Sequence, residues 1–162
     1  MSTPTLAADA ERLVAEVPDP ELPHVTLGDL GVIRAVNVRG QGVEVVVTPT
    51  YTACPATEMI CGQIVETLAA HGIDAEVTLT LTPPWSTDWI TERGRERLRS
   101  AGIAPPPTGV TDDLEAVLDL PVACPRCGSH RTRRHSDFGA TACKSMYSCE
   151  ACREPFERFK PI

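Results

Sequence analysis

The chain reads as an α+β protein: a small α/β sandwich, then a linker, then a four-cysteine zinc ribbon. Three observations carry that expectation. Helical and alternating apolar periods succeed one another over the first hundred residues in the order α-β-β-α-β-α. A proline-rich, acidic stretch, "APPPTGVTDDLEAVLDLP", interrupts them. Two Cys-x-x-Cys pairs, Cys124/Cys127 and Cys149/Cys152, then crowd the last quarter with 21 residues between them. The expected boundaries are residues 1–103 for the α/β domain, 104–121 for the linker and 122–162 for the ribbon.

Each element has its own signal. Leu6, Ala10, Leu13, Val14 and Val17 recur at helical spacing, which predicts an amphipathic helix over 5–17, stopped by "PDPELP". "GVIRAVNVRGQGVEVVVTPT" holds two β-branched runs joined at Gly40-Gln41-Gly42, a β-hairpin. Residues 55–70 read as a helix with Pro55 in the first turn and Ile60, Ile64 and Leu68 as its apolar stripe. "AEVTLTLTP" alternates as a strand over 75–83, and strand–helix–strand succession predicts a parallel pair with a right-handed crossover. Ser86 or Thr87 caps a charged helix running to about Ser100. Within the linker, Asp112 to Leu118 suits one short helix.

Composition and charge bound the function. No apolar run reaches the roughly 18 residues of a membrane span, so no membrane role is expected. The N-terminus lacks a basic start followed by an apolar stretch, so the expected compartment is the cytoplasm. Seven cysteines there point to metal or thiol chemistry rather than disulfides. Up to Leu120 there are seven basic and eighteen acidic side chains; beyond it, eight basic and four acidic. Arg126, Arg131, Arg133, Arg134 and Lys144 could meet phosphates. Four thiolates around one zinc ion offset part of that charge, and the acidic front half repels nucleic acid, which is not an expected partner.

The cysteine pairs carry the strongest chemical signal. Two thiolates in a Cys-x-x-Cys turn can hold one tetrahedral ion, and Gly128 allows the positive φ that such a turn needs. About forty residues with so few large apolar groups need a metal to fold. Rubredoxin-type iron sites use the C-P-x-C-G form in both knuckles, whereas the second here reads "CEACR", so zinc is the expected ion. Cys124, Cys127, Cys149 and Cys152 leave no open position, so this zinc is structural. Cys143 reads as a buried thiol, and His130 and His135 as solvated loop residues.

A second candidate site lies in the front half. "PDPE" (Pro18 to Glu21), "GDLG" (Gly28 to Gly31) and "TYTACP" (Thr50 to Pro55) could converge at one end of the sheet. Amide groups at a helix N-terminus would favour the Cys54 thiolate. Thr50 and Thr52 could donate to a sulfur or a bound anion, and Asp19 and Glu21 could act as ligands or simply cap the turn. Cys61 stands two helical turns away, about 10 Å, too far to share one ion or a disulfide with Cys54. The residues alone leave Cys54 open between packing, nucleophile and shared ligand.

The segments "DPELPHVTLGDLGVIRAV", "TPTYTACPATEMI" and "LTPPWSTDWITERGRERLRSAGIAPP" resemble the small domain of iron–sulfur assembly factors. With "CPRCGS" and "FGATACKSMYSCEACREPFERFK" added, nearly the whole chain resembles the D-subunit family of ring-1,2-phenylacetyl-CoA epoxidases. That resemblance implies an accessory, not itself a catalyst, in a multicomponent monooxygenase of phenylacetate catabolism. It implies iron–sulfur or iron-centre maturation through Cys54, with Asp19 and Glu21 near it and a transient cluster or iron as cargo. The implied partners are the other epoxidase subunits, above all the iron–sulfur/flavin reductase. One cysteine cannot hold a cluster alone, so a homodimer or the client would supply the remaining ligands. The alternative is a non-catalytic structural subunit of the oxygenase complex. The chain carries no pair of helical Glu-x-x-His motifs for a di-iron site and no G-x-G-x-x-G, so oxygen and dinucleotide chemistry fall to other subunits.

Overall fold

The apolar stripe near the N-terminus closes into α1 (Thr3–Ala15), two residues upstream of the expected span, with Ala10 and Val14 fully buried. The architecture is that of a computed structural model describing residues 3–51, 56–109 and 120–161. Two compact units result, Met1–Trp85 and Ser86–Ile162.

In the first unit, β1 (Ile33–Arg39) and β2 (Gly42–Val47) form the expected antiparallel hairpin, registered Arg39 to Gly42 and Val36 to Val45. Gly40 turns it with φ 58°. After α3 (Thr57–Ala69), β3 (Ala75–Leu79) lies parallel to β2, from Val43 beside Ala75 to Val47 beside Leu79. The sheet order is β1-β2-β3. Val43, Val45 and Val47 are buried while Glu44 and Val46 between them are not, the period-2 pattern of a sheet covered on one face. α1 packs on β1 and β2, and α3 on β3; Ile60, Ile64 and Leu68 supply α3's buried stripe, as expected. On the open face the Glu44 carboxylate accepts hydrogen bonds from Thr78, Asn37 and Arg39, which hold its pKa below the usual range, Thr78 most strongly.

One element escapes the periodicity. α2 (Leu27–Leu30) is a single turn closed by reciprocal capping: Thr26 Oγ1 accepts from the Asp29 amide and Asp29 Oδ2 from the Thr26 amide. Gly31, at φ 67°, ends it. The Thr-x-x-Asp spacing followed by Gly was its legible signal. Val17 O accepts from the Leu27 amide, Pro18 bridges Thr26, and the Trp85 indole donates to Leu30 O at 2.8 Å. α2 is thereby fixed to segments on both sides in sequence.

The second unit begins at Ser86. A 3-10 turn (Thr87–Trp89), α4 (Glu92–Ser100) and β4 (Ile103–Ala104) belong with the ribbon, not with the first sheet. β4 runs parallel to β7 (Pro155–Phe159), Ile103 beside Glu157, in a sheet ordered β4-β7-β6-β5, where β5 is Thr132–Ser136 and β6 is Lys144–Cys149. Buried Arg95 donates to Thr87 O and Pro106 O, so the first residues of the expected linker are anchored by a cation from α4. The short helix expected around Asp112 to Leu118 lies outside the described residues.

These packings differ in their tolerance of a single methyl group. A Cβ at Gly28 would meet Ala15 O at 2.8 Å and Ala15 Cβ at 2.9 Å, whereas one at Gly62, on the exposed side of α3, would meet nothing within 4 Å. Gly28→Ala is expected to destabilise the first unit by about 1–3 kcal/mol. Gly62→Ala should stabilise it by about 0.5–1 kcal/mol through helix propensity. Urea titration followed on the β1 and β2 amide resonances reads both.

Candidate functional site

Three strand ends define one edge of the first unit. β1 begins where β2 ends, with Ile33 opposite Val47, and β3 ends beside them at Leu79. The Thr48 amide donates to Val32 O and the Thr80 amide to Val47 O, which extends the alignment beyond the strands. α2 leads directly into this edge, and α3 starts after it. Of the three segments expected here, "GDLG" and the start of "TYTACP" reach this edge, and "PDPE" is tied to α2 through Val17 and Pro18. Cys54 and Thr52 lie outside the described residues.

Asp19 is 7% exposed, and its Oδ1 accepts from the amides of Glu21 and Leu22, both at 2.9 Å. Of its two expected roles, capping the turn is the one this geometry displays. Burial pushes its carboxyl pKa upward, against the lowering effect of the two amides, and nearby Glu21 adds a smaller push upward. Glu21 and Thr50 are half-buried. Cys61 is half-buried beside α3's stripe, and burial raises its thiol pKa, which disfavours a thiolate. His24 is exposed, and His71 sits past the far end of α3, about 20 Å of helix from its start, with Nδ1 at Thr67 O. One residue escaped the sequence reading: Thr48 is 1% exposed, and its hydroxyl has no hydrogen-bond partner among the described residues. Its signal was its place as the first threonine of "TPTYT".

The four ribbon cysteines come together. The sulfurs of Cys124, Cys127, Cys149 and Cys152 lie within 4.8 Å of one another, with Cys124 to Cys152 at 3.8 Å and Cys127 to Cys149 at 3.5 Å. Sulfurs bound at about 2.3 Å to one tetrahedral zinc stand about 3.8 Å apart, so the donor set and its spacing fit that ion. The first knuckle closes with the Gly128 amide on Cys124 O and Gly128 at φ 73°. In the second knuckle Arg153 takes the same left-handed position at φ 64°, which explains how "CEACR" works without glycine. The Cys149 thiol is held down to about 6, first by the Cys152 amide. Cys152 is pushed up to about 12: its strongest neighbour, the Glu154 amide, favours the thiolate, but burial and the other three sulfurs outweigh it.

Cys143 stands apart from the four ligands, buried, with Sγ 3.0 Å from Thr141 Oγ1. His130 is exposed, as expected. His135 is not a loop residue but part of β5, where Nε2 meets Ser148 Oγ on β6 at 2.6 Å. Ser148 is registered with Arg133, and His135 reaches it from the irregularity between Arg134 and Ser136, which was invisible in sequence.

Two experiments follow from these environments. Cys127 is the exposed ligand, so Cys127→Ser removes a sulfur with little loss of packing. Zinc per chain should fall well below one, and the β5–β7 amide resonances should collapse as they do with a chelator. For Asp19, the folded pKa is raised, so its contribution to stability is full below the unfolded value near 3.8 and is lost as pH rises through the folded value. Asp19→Asn keeps the Oδ1 acceptor and removes the buried charge. The variant should match the wild type in acid and be the more stable above that window, in urea midpoints measured from pH 3 to 8.

Comparison with known proteins places these features. Residues 7–79 match the iron–sulfur cluster assembly protein family, and residues 111–160 match the PaaD zinc β ribbon domain. A candidate D subunit of 1,2-phenylacetyl-CoA epoxidase from Escherichia coli (strain K12) is 47% identical over 151 residues, 93% of this chain and 90% of that protein. A domain of unknown function (DUF59) from Bacillus anthracis shares the fold at 24% identity and TM-score 0.56, covering 60% of this chain and 95% of its own. A conserved hypothetical protein from Thermotoga maritima does so at 29% identity and TM-score 0.50, covering 60% and 98%. On identity that runs nearly end to end, the chain belongs to the D-subunit family of phenylacetyl-CoA epoxidases.

Proposed function

We propose that this chain is an accessory factor of a multicomponent phenylacetyl-CoA 1,2-epoxidase, acting in the cytoplasm to help install or repair an iron–sulfur or iron centre. The observation that carries the reading is the match of residues 7–79 to iron–sulfur cluster assembly proteins, a span that includes Cys54. The E. coli relative, named for a component of such an epoxidase, supports the choice of system. Cys54 is the working thiol and Asp19 fixes the turn that adjoins α2. The cluster or iron is cargo, and its remaining ligands come from a second chain or from the client, since one thiol cannot retain it. The client is the reductase subunit that carries flavin and an iron–sulfur cluster. The ribbon's zinc is structural, because all four of its positions are taken by thiolates.

A second reading, a purely structural subunit of the oxygenase, draws on one observation. Among the described residues the ribbon holds the sole cluster of three or more potential metal ligands, and its site is closed.

Anaerobic purification of wild type and Cys54→Ser, each co-expressed with the reductase subunit, separates the two. Under the maturation reading, zinc stays near one per chain in both, while cluster occupancy of the reductase falls several-fold with Cys54→Ser. Equal occupancy with both, together with co-purification at fixed stoichiometry with the oxygenase, would leave the structural role in its place.

A further inference from the structure

The functional edge of the first unit also carries apolar surface that its chemistry does not use. Tyr51 is 45% exposed, Met59 57%, Leu79 48% and Leu81 52%. These are four of the seven large hydrophobic side chains exposed among the described residues, and topology brings all four to one end. Tyr51 follows β2, and Met59 lies in the first turn of α3. Leu79 ends β3 beside Val47, and Leu81 follows Thr80, whose amide is held by Val47 O. In open α/β sheets this carboxyl end of parallel strands is where ligands and partners approach. Scattered single leucines need no explanation, but this concentration at one edge does.

Charge selects the occupant. Residues 1–85 hold three basic and eleven acidic side chains, a net of −8. Exposed Glu58 stands next to Met59 in sequence, in the same turn of α3. A second copy would set one −8 unit against another, and an anionic lipid surface or a nucleic acid would be repelled likewise. A protein with apolar side chains inside a rim of lysine and arginine meets both features.

We propose that the surface formed by Tyr51, Met59, Leu79 and Leu81 docks such a protein, and that it is the client served by Cys54. The inference rests on the maturation reading and adds to it how the client is recognised. Apolar contact gives the affinity, and the acidic unit steers the approach and rejects like-charged partners. In sequence the thiol belongs to the short segment between Tyr51 and Ala56.

The test uses the full chain and the recombinant epoxidase subunits, each immobilised singly. Wild type should bind the reductase subunit with an affinity that weakens as salt rises. The paired substitution Leu79→Ser and Leu81→Ser should weaken binding about ten-fold or more. Glu58→Lys should weaken it several-fold and flatten the salt dependence. Amide spectra confirm the fold; if the pair perturbs it, Leu81→Ser alone, beyond the end of β3, takes its place. Undiminished binding by the leucine and Glu58 variants, with reductase occupancy still lost in Cys54→Ser, overturns the docking surface and leaves the maturation role standing. Self-association of the wild type that the leucine pair abolishes overturns it in favour of a second copy. Absence of binding to any of the subunits, with reductase occupancy indifferent to Cys54→Ser, overturns both.

Discussion

The mutual proximity of four sulfurs governs the second unit. Its apolar cluster consists of Ala104, Val122, Cys124, Tyr147, Cys149 and Phe156, so two of the six belong to the four-cysteine group that could hold a metal ion. The second knuckle is also the turn between β6 and β7: Cys149 ends one strand, and the Glu154 carbonyl before the other accepts from the Cys149 amide. Tyr147 and Phe156, two register steps inward, stack at 5.6 Å between ring centroids. Without an ion, this crowding sets the thiols against one another, and Cys149 and Cys152 are driven in opposite directions. An ion turns the same crowding into cohesion, and metal affinity becomes folding free energy.

The first unit is stabilised in another way. Its core is aliphatic, built from alternating valines of β2 and the stripes of α1 and α3, and its polar anchors are local. Thr26 with Asp29, Asp19 with its turn amides and Trp85 with Leu30 O each satisfy buried groups that would otherwise be costly. With stability secured there, the carboxyl end of the sheet can keep apolar side chains in solvent and a hydroxyl, that of Thr48, without a partner among the described residues. Such departures from local consistency are typical of surfaces kept for function rather than for folding.

What could be read from the residues follows the range of the interactions. The helix stripes, the Gly40 hairpin and the parallel pairing of β2 with β3 depend on local periods, and all were legible. So was the grouping of the four cysteines, because Cys-x-x-Cys compresses a three-dimensional requirement into adjacent positions. α2 was missed because four residues cannot show a helical period; its signal lay in capping chemistry instead. β4 was missed because two residues, Ile103 and Ala104, acquire strand character solely from β7, a partner distant in sequence. For the same reason a proline-rich run read as linker although Pro106 is buried, since nothing local announces that Arg95 will hold it. His135 is exposed as expected, but it read as a loop residue because nothing local announces the pairing of β5 with β6 that brings it to Ser148.

The small strand β4 bears on how such chains can be cut and recombined. Residues 111–160 suffice to recognise the ribbon family, yet a fragment starting there would lack Ala104 from its core and leave the outer edge of β7 uncovered. That edge belongs to a strand carrying Phe156 and Phe159, and an open row of amides and carbonyls beside aromatic side chains invites pairing with foreign chains. The heritable module is therefore longer than the motif that identifies it. A gene fusion or an expression fragment that respects the physics begins at Ser86, where the chain leaves its first core.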